Sequence, residues 1–279
     1  MSETTTDILK VYAGRTRIFS PYTSVSSDNI LSILGSAMII HAKNVGEINY
    51  LDGYRKGFQP IINRTKDVRP EINNKIVENR ADEIIAFKVG YEYGEPVAYV
   101  SKSNDKTASS ELNAFNDYMG LEGKYAKDSL LAQLFKTYGN AYRLVLPDVE
   151  QKDDSAPFHI YNLDPRFAFV VYSTDIGNKP LMGVIISYVI DKDNKQILRE
   201  ACYTDTEYFL IVNGVIVEHK YHYYGSIPLV EYDCNPQYQG EFEKVIPMLN
   251  AINLIDSDCV NGIEQFIQAI MVFKNVDIE

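Results

Sequence analysis

An apolar row that runs to the end of the chain is the feature that most constrains its fold. From Glu241 onward, Val245, Leu249, Ile252, Ile255, Cys259, Ile263, Phe266, Ile270 and Phe273 recur every three or four residues. That is the period of one helix face. It predicts a helix over 241–274, about 50 Å long at about 1.5 Å per residue. Pro247 is tolerable because it falls near the helix start, where a missing N–H costs little. Asn250, Ser257, Asn261, Glu264 and Gln268 form the opposite, polar row. A helix of this length at a chain end needs a surface to lie against. The segment Val276-Asp277-Ile278-Glu279 supplies no closing element, so the expectation is a chain that stops before its protein is complete. A helix docked on its own domain is the alternative.

The residues before it carry a different period. Tyr142–Leu146, Phe158–Tyr161, Ala168–Tyr172, Met182–Ile190, Ile197–Tyr203, Tyr208–Val212, Val215–His219 and Leu229–Tyr232 read as strands, separated by turn residues such as Asp164-Pro165 and Asp193-Asn194. Asn213-Gly214 between two apolar runs predicts a two-residue type I′ hairpin, because both residues tolerate positive φ. Both faces of that hairpin are apolar, so it should be covered on two sides or by a neighbouring subunit.

Before residue 140 the chain reads as helical. Ile30, Leu31, Ile33 and Leu34 open a helix that runs toward Gly46 and restarts near Ile48–Tyr54. A second helix begins near Asn79 and stops at Gly94–Pro96. Val97–Val100 reads as a short strand, 102–108 as a polar loop, and 109–120 and 124–138 as two further helices. The last is amphipathic through Leu130, Leu131, Leu134, Phe135 and Tyr138. The fold class is therefore α+β. The expected parts are an N-terminal segment 1–26, a helical section 27–139, a β-rich section 140–236 and the terminal helical part 237–279.

The net charge of −11 opposes general DNA binding, which draws its affinity from Lys and Arg. It is compatible with surrounding DNA without gripping it. Tyr is abundant, at 21 residues, and Trp is absent. Such a Tyr count suits half-buried subunit contacts or, equally, a β-rich section. Cys202, Cys234 and Cys259 are an odd number without Cys-x-x-Cys spacing, which points to reduced thiols in a cytosolic setting. The polar start predicts no secretory leader, and the apolar runs are too short to span a membrane.

Residues for catalysis or cofactors do not converge. His219 and His222 lie three apart in a predicted strand, on opposite faces, so they make a poor metal pair. Asp191-Lys192-Asp193-Asn194-Lys195 opens like a calcium loop, but Gln196 stands where Gly is needed and Cys202 where Glu is needed. It reads instead as a hairpin turn. No Gly-x-x-x-x-Gly-Lys-Ser/Thr, Gly-x-Gly-x-x-Gly or Gly-x-Ser-x-Gly occurs. Acidic pairs such as Asp82-Glu83 and Asp153-Asp154 read as solvated surface. The expectation is no enzyme, no metal and no cofactor.

Four segments, taken in order, resemble the portal proteins of tailed bacteriophages, in the branch found in long-tailed phages of Gram-positive hosts. They are Asn79 to Val97, ending in Gly90-Tyr-Glu-Tyr-Gly-Glu-Pro-Val; Tyr138-Gly-Asn-Ala-Tyr-Arg-Leu; Leu163-Asp-Pro-Arg-Phe-Ala-Phe-Val-Val-Tyr; and Ile227-Pro-Leu-Val-Glu-Tyr with Gly240-Glu-Phe-Glu-Lys-Val-Ile and Ser257-Asp-Cys-Val-Asn-Gly-Ile-Glu-Gln-Phe. The resemblance covers about residues 45–275. Cys259 and Gly262 depart from it, standing where polar or helix-favouring residues are expected.

The resemblance implies a homo-oligomeric ring, commonly of twelve subunits, at one capsid vertex of the virion, assembled in the bacterial cytoplasm. Its implied partners are the terminase motor, scaffold and capsid proteins, and head-to-tail connectors. Double-stranded DNA would pass through without specific binding, and no membrane is involved. It also implies that the later tunnel part and a helical crown lie beyond this chain. Within that picture the terminal helix packs its apolar row on neighbouring elements. Asn250, Ser257, Asn261, Glu264 and Gln268 then face the channel or a subunit boundary. The competing readings are a complete phage structural or adaptor-like binding module and, more remotely, a nuclease or protease.

Overall fold

The computed structural model describes residues 13–102, 106–150, 155–190 and 192–267. Five helices appear among them: α1 (Ile30–Arg55), α2 (Arg80–Tyr93), α3 (Lys106–Leu121), α4 (Lys124–Tyr138) and α5 (Ile246–Ile267). The strands are β1 (Ile18–Ser20), β2 (Asn140–Pro147), β3 (Phe158–Leu163), β4 (Ala168–Ser173), β5 (Pro180–Ile190), β6 (Gln196–Tyr203), β7 (Glu207–Val212), β8 (Val215–Tyr221) and β9 (Leu229–Asp233). The α+β class follows directly. One sheet has the order β1-β4-β5-β6-β7-β8, with β1 parallel to β4 and the rest antiparallel. The second is the antiparallel trio β3-β2-β9.

All eight strands expected after residue 140 are present, each within two residues of its predicted ends. The β7–β8 turn has φ of 50° at Asn213 and 79° at Gly214, the positive pair a type I′ turn demands. Only one face of that hairpin is buried, through Phe209 and Ile211, while Val215 and Val217 stay exposed.

Two expectations are corrected, and one element is new. Val97–Val100 forms no strand, because Asn116 on α3 holds the Tyr99 backbone in place of a neighbouring strand. The Tyr99 N–H donates to Asn116 Oδ1 (3.1 Å), and Asn116 Nδ2 donates to the Tyr99 carbonyl (3.0 Å). The helix expected to restart after Gly46 is instead continuous. Asn44, Ile48 and Leu51 carry one buried row straight past Gly46, and its packing outweighs the roughly 1 kcal/mol a helical glycine costs. The short parallel strand β1 was not anticipated; three residues are too few to show a period.

Helix α1 belongs to two cores. Its first half (Ile30, Ile33, Leu34, Ala37) packs with Phe169, Val171, Met182, Val184 and Phe209 of the large sheet and with Tyr142 and Leu229 of the small one. Its second half (Ile48, Leu51, Tyr54) packs with Ile85 of α2, Leu131 and Phe135 of α4, and Phe242, Ile246 and Leu249 at the start of α5. This second core sets where the terminal helix emerges.

Candidate assembly surface

Helices α4 and α5 meet at a tight junction. Gly139 ends α4 in the left-handed region (φ 93°), and its N–H donates to the Phe135 carbonyl at 2.8 Å. A Cβ there would stand 1.9 Å from the Tyr238 carbonyl oxygen, so no other residue fits without moving the backbone. Arg15 ties the junction together. It donates to the Tyr138 carbonyl at the end of α4 (3.3 Å), to Glu47 on α1 (2.9 Å) and to Glu243 just before α5. The Arg15 and Glu243 side chains are both fully buried. Burial pushes the Glu243 carboxyl above the usual carboxylate range, and Arg15 partly offsets this.

From this anchor α5 runs along residues 74–78, an extended stretch that joins no sheet among the described residues. The Glu78 N–H donates to Asn253 Oδ1 (2.9 Å), the Ile76 N–H to Ser257 Oγ (2.9 Å) and the Asn74 N–H to Asn261 Oδ1 (2.7 Å). The match is geometric. Two residues of extended chain advance about 6.6 Å, and four residues of helix advance about 6.0 Å. Every second N–H of the strap therefore meets every fourth side chain of the helix, in antiparallel order. Asn253 is also hydrogen-bonded to Gln59, Tyr54 Oη donates to Asn250 Oδ1 (2.9 Å), and Asn74 Nδ2 donates to Glu264 (2.6 Å).

The expected orientation of α5 is thus inverted over most of its length. Ser257 and Asn261 are buried, Asn250 and Glu264 are half-buried, and all four bond to their own chain. Gln268 lies outside the described residues, as do Ile270 and Phe273. On the apolar row Leu249 is buried and Val245 and Ile252 are partly so, but Ile255, Cys259, Ile263 and Phe266 are exposed. Ile263 is 61% and Phe266 85% accessible. With Asp258, Gly262 and Ile267, three of them line an open apolar groove. The reason for the inversion is that the strap's N–H groups have no ladder to join, and buried N–H groups require acceptors.

A second polar centre escaped the sequence reading. Glu231 on β9 accepts hydrogen bonds from the hydroxyls of Tyr142 (2.8 Å), Tyr238 (2.6 Å) and Tyr172. The Arg17 guanidinium carbon lies 4.8 Å from the Tyr172 ring centre and 5.0 Å from that of Tyr238. Burial, with Glu231 beside them, raises all three phenols. Part of the Tyr abundance therefore serves an internal carboxylate. The available signal was parity: Glu231 stands two residues from buried Leu229, on the same strand face.

The residues weighed for chemistry are placed as follows. β8 ends at Tyr221, so His222 falls just past it. His219 stacks on Phe209 and His222 on Tyr224, each with ring centres 4.3 Å apart. Residues 192–194 turn between β5 and β6; Asp191 and Asp153-Asp154 lie outside the described residues. Cys202 is buried, and burial pushes the Cys234 thiol up to about 11. Among the described residues no cluster of three His, Cys, Asp or Glu could hold a metal ion. No helix among them is long and apolar enough to cross a membrane.

Residues 39–278 match the family model described as phage portal protein, SPP1 Gp6-like. Comparison with curated proteins returns no match.

Proposed function

The chain belongs to the SPP1 Gp6-like phage portal protein family, whose members are structural proteins of the virion, and from that premise we propose that it is one subunit of a closed ring whose channel passes double-stranded DNA during packaging and ejection. The ring sits at a capsid vertex, receives the terminase motor on one side and later carries the head-to-tail connector proteins. The observation that carries this reading is the exposed apolar row of α5. Ile255, Cys259, Ile263 and Phe266 stand open in a single chain, and a head-to-tail neighbour is the cover a ring provides. The polar row then acts indirectly: Asn250, Ser257, Asn261 and Glu264 fix α5 on its own strap, so that the apolar row meets the next subunit. The net charge of −11 per chain supports the same reading, since acidic walls let phosphate slide.

Negative-stain electron microscopy of the purified chain at high concentration tests it. Rings with a central hole are expected, and Phe266→Ser should reduce their number. Compact monomers at every concentration, with or without that substitution, would remove ring closure from what this chain does.

A further inference from the structure

The β7–β8 hairpin packs Phe209 and Ile211 into the first core and leaves β8 itself without a cover. β8 ends the six-stranded sheet, and no further strand pairs with it among the described residues. Along it Val215, Val217 and Tyr221 are each more than half exposed. The register skips one residue: Ile211 faces Ile216 and Leu210 faces Glu218, so Val217 is the extra residue of a bulge. A bulge spoils an edge for pairing with another strand, because it twists the row of free backbone groups away from a straight partner. The edge is closed to a strand and still apolar, and a helix laid across it is the cover that remains.

The same chain holds a helix that lacks a surface. The outer row of α5, from Ile255 to Phe266, spans about 17 Å at about 1.5 Å per residue. The 7 residues of β8 span about 23 Å at about 3.3 Å each, enough to lie along that row. The charges are compatible. α5 carries Asp256, Asp258 and Glu264 and no Lys or Arg, whereas on β8 Glu218 is paired with Lys220, so the acidic helix meets no net negative charge on the strand. The two surfaces stand apart in one chain. β1 starts just after Arg15, which bonds Glu243 at the root of α5. β8 lies five strand spacings from β1, about 24 Å at about 4.8 Å each. Two different uncovered surfaces at separate places are what a head-to-tail contact requires.

We propose that β8, through Val215, Val217 and Tyr221, is the surface that receives the outer row of α5 from a neighbouring copy of this chain. The inference rests on the ring reading and names the second half of its subunit contact. It also gives the open side of the hairpin the neighbouring-subunit cover that its apolar sequence calls for.

Cross-linking of the full chain tests it. Cys259 lies on the outer row and is exposed, and Val217→Cys places a second thiol at an exposed position of β8, where folding should be unchanged. A short bis-maleimide should then join neighbouring chains into a ladder of covalent oligomers on a denaturing gel. Neither the unsubstituted chain nor Val217→Cys combined with Cys259→Ser should give one. Val217→Glu sets a carboxylate against the acidic helix and should weaken self-association in sedimentation by about tenfold. A ladder with rings in the microscope supports both the contact and ring closure; a ladder without rings keeps the contact and removes closure. Rings without a ladder, or association unchanged by Val217→Glu, overturn the contact and leave the ring reading standing. Dimers joined through Cys259 alone overturn it too, since they place row on row. Monomers that never cross-link overturn both.

Discussion

Helices α4 and α5 obey the same apolar period and bury opposite kinds of face. α4 turns Leu131, Phe135 and Tyr138 inward and leaves Leu130 exposed. α5 does the same only for its first turns, through Ile246 and Leu249, and then buries Asn253, Ser257 and Asn261. The difference lies in what each helix meets. α4 packs on α1, α2 and β2, whose backbone groups are already paired within helix and sheet, so apolar area is what those surfaces accept. Beyond Leu249, α5 meets the strap at 74–78, whose N–H groups need acceptors. Amphipathicity says that a helix has two faces, and the partner's unsatisfied backbone decides which one turns inward.

The sharpest break of this comparison is at the junction both helices share. Arg15→Met leaves a fully buried Glu243 unpaired and removes a donor from the end of α4. It should cost about 3–5 kcal/mol in denaturant unfolding. The pH dependence has a definite sign. Glu243 already binds its proton more tightly folded than unfolded. Removing Arg15 raises the folded value further, so the variant's deficit should be smallest in acid and grow as pH rises through the carboxylate range. A deficit that shrinks toward neutral pH would mean the pair is not what holds the junction.

Next in size are matched substitutions in the two helices. Leu131→Ala in α4 should cost about 2–5 kcal/mol as a core truncation. Asn253→Leu in α5 makes the helix more apolar, yet it strands the Glu78 N–H and Gln59, so a loss of about 2–4 kcal/mol is expected. If Asn253→Leu is neutral or stabilising, the ladder does not hold α5, and the contrast with α4 collapses. Ser257→Ala, which leaves only the Ile76 N–H without its acceptor, should cost about 1–2 kcal/mol.

This contrast also marks how far the sequence could be read. All eight strands after residue 140 were legible, because alternation and turn residues such as Asn213-Gly214 are local signals. So was most of the inward face of α4, although Leu130, read as part of it, is exposed. The two rows of α5 were legible as rows but not as inside and outside, since their orientation depends on residues 74–78, more than 170 positions away in the chain. Val97–Val100 failed for the same reason: its backbone is held by the Asn116 side chain rather than by a strand. Glu231 looked like one acidic residue among 38; its three tyrosine donors come from β2, β4 and the 235–240 loop and share no local pattern.

The smallest expected effect tests the comparison from the other side. Ile263→Ser removes an apolar group from the outer row of α5. If that row is open in the single chain, the substitution should change monomer stability by no more than about 0.5 kcal/mol, as surface substitutions do. The same change at Leu249, buried in the second core, should be several-fold more costly, so the pair reads the face rather than the residue type. A loss above about 1 kcal/mol at Ile263 would mean that its own chain covers the row, and α5 would then bury both faces. A near-zero loss in the monomer together with fewer rings would locate the cover on the neighbouring subunit, because only a contact absent from the single chain can be weakened without cost to its folding.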